Sequence, residues 1–438
     1  MSQEGVIDAA AGSGWSRTGE SEARRAPLNS TRRREGGNAA PEDSGPRMSD
    51  SGKQLLILIP SPGRGGAEDY ALKVAVGARQ AGWQGVMCCP GAPELDTLAR
   101  DFEAAGYACQ RLDLRYEPWW SVRRKLAGTA GSFVATLRLA RRCRPDAVFA
   151  VMHWPLSMYG ALLACAWLRL RTVVSFQLVA PELVVSPRRA RAMAWARRRN
   201  QIWVAASENN RRLLAERFLC PPDEIHLIRN GAPPPLPWSE TERGALRRQA
   251  REELGLDPEC ALFLTVGTLC ARKGVDLLAQ AAPFVLRRYP RAAFVWAGGG
   301  DPAPLRQAAA ESGMNDRLLA LGHRGDIQRL LAAADFFVLP TRNEGQPFAL
   351  LEAMSAGVPV IVSNASGIPE IVAHGQDGLL FESGNPVALL ERLLFALENR
   401  PEMARLALRA RERAASFSEA DMVARTVGLL SGVPIGRA

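Results

Sequence analysis

The strongest constraint on the fold is a pattern that runs twice through the chain. From Lys53 to about Arg229, short apolar runs alternate with helical segments. The runs are QLLILI (54–59), WQGVMCCP (83–90), PDAVFAVM (145–152), RTVVSFQ (171–177) and IWVAAS (202–207). Continuous apolar runs separated by helices are what a parallel sheet covered on both faces requires. The pattern stops at NGAPPPLPW (230–238), whose consecutive prolines make a stiff connector. It restarts with ALFLTVG (261–267), AAFVWAGGG (292–300), LLALGH (318–323), DFFVLP (335–340) and VPVIVS (358–363). We therefore expect an α/β chain of two doubly wound sheets facing across a cleft at the carboxyl ends of their strands. The expected units are a first domain over 51–235, a second over 236–416 and a terminal helical segment over 417–438. Residues 1–50 are rich in Ser, Gly, Arg, Glu and Pro and have almost no aliphatic periodicity, so they are expected to be a disordered extension.

Charge and cysteine usage narrow the class. No stretch approaches the ~20 apolar residues that span a bilayer. The N-terminus lacks the layout of a signal peptide, and a cytoplasmic location is expected. The eight cysteines form no CxxC pair and the four histidines have no metal-ligand spacing, so neither a disulfide framework nor a metal is expected. The net charge of +10 is unevenly placed: 48–237 carries 26 basic and 15 acidic residues, whereas 238–438 carries 22 and 23. The excess belongs to one half, which points to a local acidic partner.

The turns after the strands carry the chemistry. PSPGRGGAED (60–69) is a glycine-rich strand-to-helix turn; Gly65 and Gly66 let backbone approach an anion, although simple chain reversal is an equal reading. In TVGTLCARKG (265–274), Arg272 and Lys273 sit just past a strand end, where adjacent cations can neutralise a diphosphate or be solvated. NEGQPFALLE (343–352) follows another strand end. Its helix is expected to start at Pro347 or Phe348 and to reach about Ala356. The amides of Phe348, Ala349 and Leu350 would face the cleft and favour negative charge. Glu344 precedes that helix with Gly345, and Glu352 lies one turn inside it; by composition alone Glu352 also reads as an ordinary helix residue. SNASGIPEIVAHGQDGLLF (363–381) adds a strand, a small-residue turn and a helix start, from which Ser366, Gly367 and Glu370 reach the same edge.

Together these pieces resemble the retaining glycosyltransferase family 4, which has the GT-B fold of two Rossmann-like domains. The resemblance covers roughly 54–430. It rests on NEGQPFALLEAMSAGVPVIVSNASGIPEIVAHGQDGLLF with its paired glutamates, and on VGTLCARKG, ASENNRRLL (206–214) and IRNGAP (228–233) in order. It implies a nucleotide-sugar donor, which is a substrate and not a cofactor, held mainly by the second domain. By motif position, Arg272 and Lys273 would hold the diphosphate and Glu344 would contact the donor sugar. The backbone at Phe348, Ala349 and Leu350 would cap the phosphates or sugar, and Glu352 would take the ribose hydroxyls. Gly65 and Gly66 would close over the phosphates, and the terminal helix would pack back on the first domain. The resemblance further implies transfer with retention and without a metal, to a glycan or lipid-linked acceptor in cell-surface, exopolysaccharide or lipopolysaccharide synthesis. An epimerase, or a nucleotide-sugar-binding protein without transferase activity, is the alternative.

Two positions depart from the family pattern. Thr268 stands where an arginine is common, and Gln177 where a histidine is common; glutamine can bond a sugar but cannot act as an acid. His153, at the end of VFAVMH, is a second cleft-facing candidate for acceptor or sugar contact. The stretches 116–144 and 186–203 mix cations with Trp, Leu and Phe, which suits an anionic membrane surface as well as solvated helices. No nucleic-acid module is present, and nucleic acid is not expected as a partner.

Overall fold

The computed structural model describes residues 52–115, 121–235 and 238–433. The segment 1–50 and residues 116–120 of the first basic stretch lie outside the described residues. Two all-parallel sheets organise the rest. The first holds β1 (Lys53–Leu58), β2 (Trp83–Cys89), β3 (Ala108–Arg111), β4 (Ala147–Met152), β5 (Thr172–Phe176), β6 (Gln201–Ala205) and β7 (Ile225–Leu227), in the order β3-β2-β1-β4-β5-β6-β7. The second holds β8 (Ala261–Val266), β9 (Ala292–Ala297), β10 (Leu318–Gly322), β11 (Phe336–Leu339), β12 (Val360–Ser363) and β13 (Leu379–Phe381), in the order β10-β9-β8-β11-β12-β13. The fold is the expected pair of doubly wound sheets.

Three strands were not anticipated, and all three are edges. β3 and β7 end the first sheet and β13 ends the second. They are three or four residues long and partly exposed. An edge strand is covered on fewer sides, so its sequence has less need of an unbroken apolar run. The central strands behave oppositely: every residue of β4 and β9 is buried. Aromatic rings fill the layers beneath, with Phe263 stacked between Phe294 (4.6 Å) and Phe336 (4.8 Å). Each such ring contributes ~2–3 kcal/mol through burial.

The order of each sheet reverses once, between β1 and β4 and between β8 and β11. Ligand crevices open at such reversals. The turns after β1, β4, β8 and β11 carry Gly65 and Gly66, His153, Arg272 and Lys273, and Glu344. Topology thus gathers most of the candidate residues at the two switch points.

The chain passes between the sheets twice, and the two passages are joined. The Ala232 amide donates to the Phe417 carbonyl (2.7 Å), and Ala232 bridges Ser418. Ser418 then caps the helix Glu419–Ser431 by accepting from the Asp421 amide (3.1 Å). That helix lies on the helix Gly66–Gln80 and buries Met422, Leu429 and Leu430 in the core of the first sheet. Tyr70 and Thr426 share a buried hydrogen bond (3.2 Å), Lys73 pairs with Glu419, and Arg171 donates to the Leu429 carbonyl (2.8 Å). Among the described residues no helix is long and apolar enough to cross a membrane.

Candidate functional site

The floor of the site is built from two turns of the second sheet. After β8 a single 3₁₀ turn, Ala271–Lys273, presents Arg272 and Lys273. After β11 the loop 340–346 leads into the helix Phe348–Ser355, with Pro347 at its N-cap. The two turns are tied together. The Arg272 carbonyl accepts from the Arg342 amide (2.7 Å) and the Thr341 hydroxyl (3.0 Å), and Arg342 clasps Asp276 through both carboxylate oxygens (2.7 and 2.6 Å).

Glu344 is buried in this floor. Its Oε1 lies 2.9 Å from Arg272 Nη1 and is paired with Lys273. Burial pushes the carboxyl upward, but the charges of Lys273 and Arg272 outweigh it and hold the group below the usual carboxylate range. The arrangement is a compact cluster of two cations and one anion at a sheet switch point.

Beside this cluster the helix Phe348–Ser355 begins. The amides of Phe348 and Ala349 have no partner among the described residues, as befits a helix N-terminus. The Leu350 amide differs from expectation: it donates to the Pro347 carbonyl (3.2 Å), because the first turn tightens to an i→i−3 bond. Two free amides therefore face outward instead of three. Glu352 is half-buried, and its carboxylate has no hydrogen bond or ion pair among the described residues. Burial raises its pKa, opposed by the charge of Lys73 and aided by those of Asp69 and Glu419. All three neighbours belong to the opposite wall, so Glu352 looks across the cleft.

The opposite wall begins with the glycine turn. A Cβ built on Gly66 would stand 3.2 Å from the Phe348 ring. Phe348 lies 6.5 Å from Tyr70 between ring centroids, with Lys73 Nζ 5.9 Å from its own. His153 follows β4. Its ring is half-buried, but Nδ1 is sealed from water without a partner. Burial, helped by the nearby Arg272 charge, lowers its pKa to about 4. The imidazole is thus neutral at pH 7 and near enough to Arg272 to feel its charge.

Gln177 is used differently. Its Nε2 donates to Ser175 Oγ (2.8 Å) and its Oε1 accepts from Asn230 Nδ2 (3.1 Å). Both polar ends of the side chain are thus engaged within the protein. Asn230 in turn donates its backbone amide to Gln346 Oε1 (2.5 Å) and its side chain to the Gln346 carbonyl (2.7 Å). Gln177 belongs to a seam that joins the two halves.

That seam explains Gly345 and Gly367. A Cβ on Gly345 would fall 2.1 Å from the Gln177 carbonyl oxygen, and one on Gly367 would fall 1.8 Å from the Gly345 carbonyl oxygen. Glycine is the residue that lets these backbones touch. Glu370 closes the seam. Its carboxylate accepts from the amides of Glu208 (2.9 Å) and Asn209 (2.8 Å), at the N-terminus of the helix Glu208–Phe218 in the other half. The helix start expected after Gly367 is a single 3₁₀ turn, Ile368–Glu370, and Ser366 donates to Asn343 Oδ1 (2.7 Å). Asn210, whose Nδ2 donates to the Gln177 carbonyl (3.2 Å), and Asn230 and Gln346 were not singled out from the sequence. Their signal was that they fall inside the ASENNRRLL, IRNGAP and NEGQPFALLE stretches.

Among the described residues no group of three His, Cys, Asp or Glu side chains is placed to hold a metal ion. Residues 64–234 match the model "Glycosyltransferase Family 4", and residues 261–399 match "Glycosyl transferases group 1". The UDP-Gal:alpha-D-GlcNAc-diphosphoundecaprenol alpha-1,3-galactosyltransferase of Escherichia coli is 36% identical over 165 residues, 37% of this chain and 42% of that protein. The amylovoran biosynthesis glycosyltransferase AmsK of Erwinia amylovora is 30% identical over 203 residues, 44% of this chain and 47% of that one. The matched region spans about half the length of these curated relatives. Anabaena Alr3699/HepE, solved in complex with UDP and glucose, superposes with a TM-score of 0.71 at 20% identity, covering 87% of this chain and 100% of that one, and shares its fold. The two family models lie one on each sheet and together take in the glycine turn, the seam and the cationic floor: this chain belongs to the group 1, or family 4, glycosyltransferases.

Proposed function

We propose that this protein transfers a sugar from a nucleotide-sugar donor to a glycan or lipid-linked acceptor, with retention and without a metal ion, in the synthesis of a cell-surface or exported polysaccharide. The observation that carries the reading is the cluster of Glu344, Arg272 and Lys273 beside the free amides of Phe348 and Ala349. Such a cluster suits a diphosphate leaving group. When the bond between the anomeric carbon and the diphosphate oxygen breaks, its electron pair goes to that oxygen, and the two cations and the helix start stabilise the charge. The acceptor oxygen forms the new bond from the same face, and the departing diphosphate takes its proton. Glu344 orients the sugar, and Glu352 receives the ribose hydroxyls. Gly65 and Gly66 lie over the phosphates from the opposite wall. The relatives named for a diphosphoundecaprenol glycan and for amylovoran support an acceptor of this kind.

A membrane-bound acceptor also suits the outer face of the first half. Residues 121–200 carry 15 Lys and Arg against Asp146 and Glu182. Within this stretch Leu126, Trp167 and Val184 are exposed, as are Arg123, Arg124, Arg188 and Arg191. A surface of this kind attracts anionic lipid by ~1 kcal/mol per cation near the bilayer. We propose peripheral attachment to the cytoplasmic leaflet. The protein should float with phosphatidylglycerol vesicles at low salt, and failure to float would remove this part.

The reaction is tested by incubation with UDP-, GDP- and ADP-sugars, following nucleoside diphosphate release and the anomeric configuration of the product by NMR. Release from one donor with retained configuration is expected. Absence of release from every donor, with and without lipid-linked acceptors, would count against a transferase.

A further inference from the structure

The helix Phe348–Ser355 serves two cores. Leu350, Leu351, Ala353 and Met354 are buried in a core of the second sheet, and Ala349 packs against it. Phe348, the first residue of the same helix, is instead buried in the core of the first sheet, with Tyr70, Phe149 and Met422. Only 9% of it is exposed. Its socket lies on the helix Gly66–Gln80. Gly66 leaves room for the ring, and Tyr70 and Lys73 follow on successive turns of one helix face. That helix is itself fixed, with Glu68, Tyr70, Ala71 and Val74 buried along it. The Tyr70 ring stands 5.8 Å from that of Phe149 in β4. The terminal helix Glu419–Ser431 backs the socket, because Tyr70 bonds Thr426 and Lys73 pairs with Glu419.

The same residue carries one of the two free amides beside Arg272, Lys273 and Glu344. Ring and amide share one Cα, so the seat of the ring constrains where the amide points. The residues just before it are also fixed by the first half: Gly345 lies against the Gln177 carbonyl, and Gln346 is bonded twice by Asn230. Withdrawing a buried aromatic ring leaves a cavity and exposes apolar surface. The two halves therefore cannot shift at this point without either losing that packing or dragging the start of the helix with them.

We propose that the Phe348 side chain is a positioning residue: seated in the first half, it sets the free amides of Phe348 and Ala349 for the donor diphosphate, and it couples diphosphate binding to the packing of the helices Gly66–Gln80 and Glu419–Ser431. This rests on the nucleotide-sugar reading. The coupling is reciprocal. A diphosphate on the amides favours the seated ring, and a seated ring favours the diphosphate.

The test compares wild type, Phe348→Ala and Phe348→Leu, each checked for folding by circular dichroism, in calorimetric titrations with UDP, GDP and ADP. Amide hydrogen exchange is then followed with and without the diphosphate that wild type binds, at concentrations that saturate each protein. In wild type, binding is expected to slow exchange in the turn 271–275 and also in the helix Glu419–Ser431, which carries no residue of the proposed donor site. Phe348→Ala is expected to bind about tenfold more weakly, as the amides lose their preorganisation. At saturation it should keep the protection of 271–275 and lose that of 419–431. Phe348→Leu still fills most of the socket and should bind within about threefold of wild type. The proposal is overturned if wild type gains no protection at 419–431, or if Phe348→Ala gains as much there as wild type does. It is also overturned if Phe348→Ala binds as tightly as wild type, or if Phe348→Leu, still folded, binds as weakly as Phe348→Ala. In each of those cases wild type still binds a diphosphate and the nucleotide-sugar reading stands. If wild type binds none of the three, that reading fails and this inference with it.

Discussion

Replacing Glu344 by glutamine should separate stability from ligand binding. The carboxylate is the counter-charge of two cations, and Lys273, whose side chain is 13% exposed, has no other ion pair among the described residues. Breaking a buried ion pair by removing one partner costs ~3–5 kcal/mol, because the remaining charge stays buried. Arg272 is about a third exposed and can turn to water, which places the cost at the lower end, about 3 kcal/mol. Unfolding entropy of ~2.1 cal/mol/K per residue gives ~0.8 kcal/mol/K for the unit Gly52–Ala438. The melting temperature should therefore fall by about 4 °C. Adding the nucleoside diphosphate that wild type binds should restore the loss, since phosphate then supplies the missing charge and binding to the native state raises stability by mass action. The increment should exceed that of wild type, in which Glu344 competes for the cations. Turnover should drop at least about 100-fold if Glu344 orients the sugar. Differential scanning fluorimetry with and without ligand measures both terms. An unchanged melting temperature, or a variant that no longer responds to any diphosphate, would refute the reasoning.

Further outcomes follow from the seam and from the titrating groups. Glu370→Gln removes the charge from two amide-to-carboxylate bonds across the halves and should cost ~1–2 kcal/mol in urea denaturation; an unchanged midpoint would show that the seam holds without it. Gly345→Ala places a methyl 2.1 Å from the Gln177 carbonyl and should force the halves apart, read as faster proteolysis at 230–235 and 415–418 than in wild type. His153 sits near 4, below its usual 6.5, so the folded state holds fewer protons between those values and its contribution to stability is lost as pH falls from 6.5. Glu68, raised from 4.5 to about 7, acts in the opposite sense and loses stability as pH rises across that span. The two slopes, each at most ~1.4 kcal/mol per pH unit, oppose one another between pH 4.5 and 6.5. His153→Asn should leave stability falling with rising pH in that window, and Glu68→Gln should leave it rising. Parallel curves for the two variants in urea titrations would contradict the assignment.

The architecture was legible because buried parallel strands must be apolar along their whole length. Ten of the thirteen strands announce themselves in this way, and the exceptions, Ala108–Arg111, Ile225–Leu227 and Leu379–Phe381, are edges. The turns that carry Arg272, Lys273, Glu344 and Gly66 were also legible, not singly, since each also reads as a plain turn or a solvated loop, but through their combination at successive strand ends. What a local reading misses is contact across long separations. Glu370 meets amides 161 and 162 residues earlier, and nothing in IPEIV specifies that partner. Gln177 looked like a ligand contact because its strand end faces the cleft, yet Asn230 and Ser175 engage both ends of its side chain. Leu350 was expected to offer its amide, but the tight first turn uses it. Glu68 passed unnoticed because a glutamate in a first helical turn is ordinary. Its burial is tertiary.

The central claim is that the diphosphate of a nucleotide sugar rests on Arg272 and Lys273. Calorimetric titration of wild type and Lys273→Ala with UDP-, GDP- and ADP-sugars tests it most directly. The account predicts that at least one donor binds wild type, and that the same donor binds Lys273→Ala at least about tenfold more weakly, the loss of one charged hydrogen bond to phosphate. Equal affinity for the two proteins, or no binding of any donor to wild type, would contradict it.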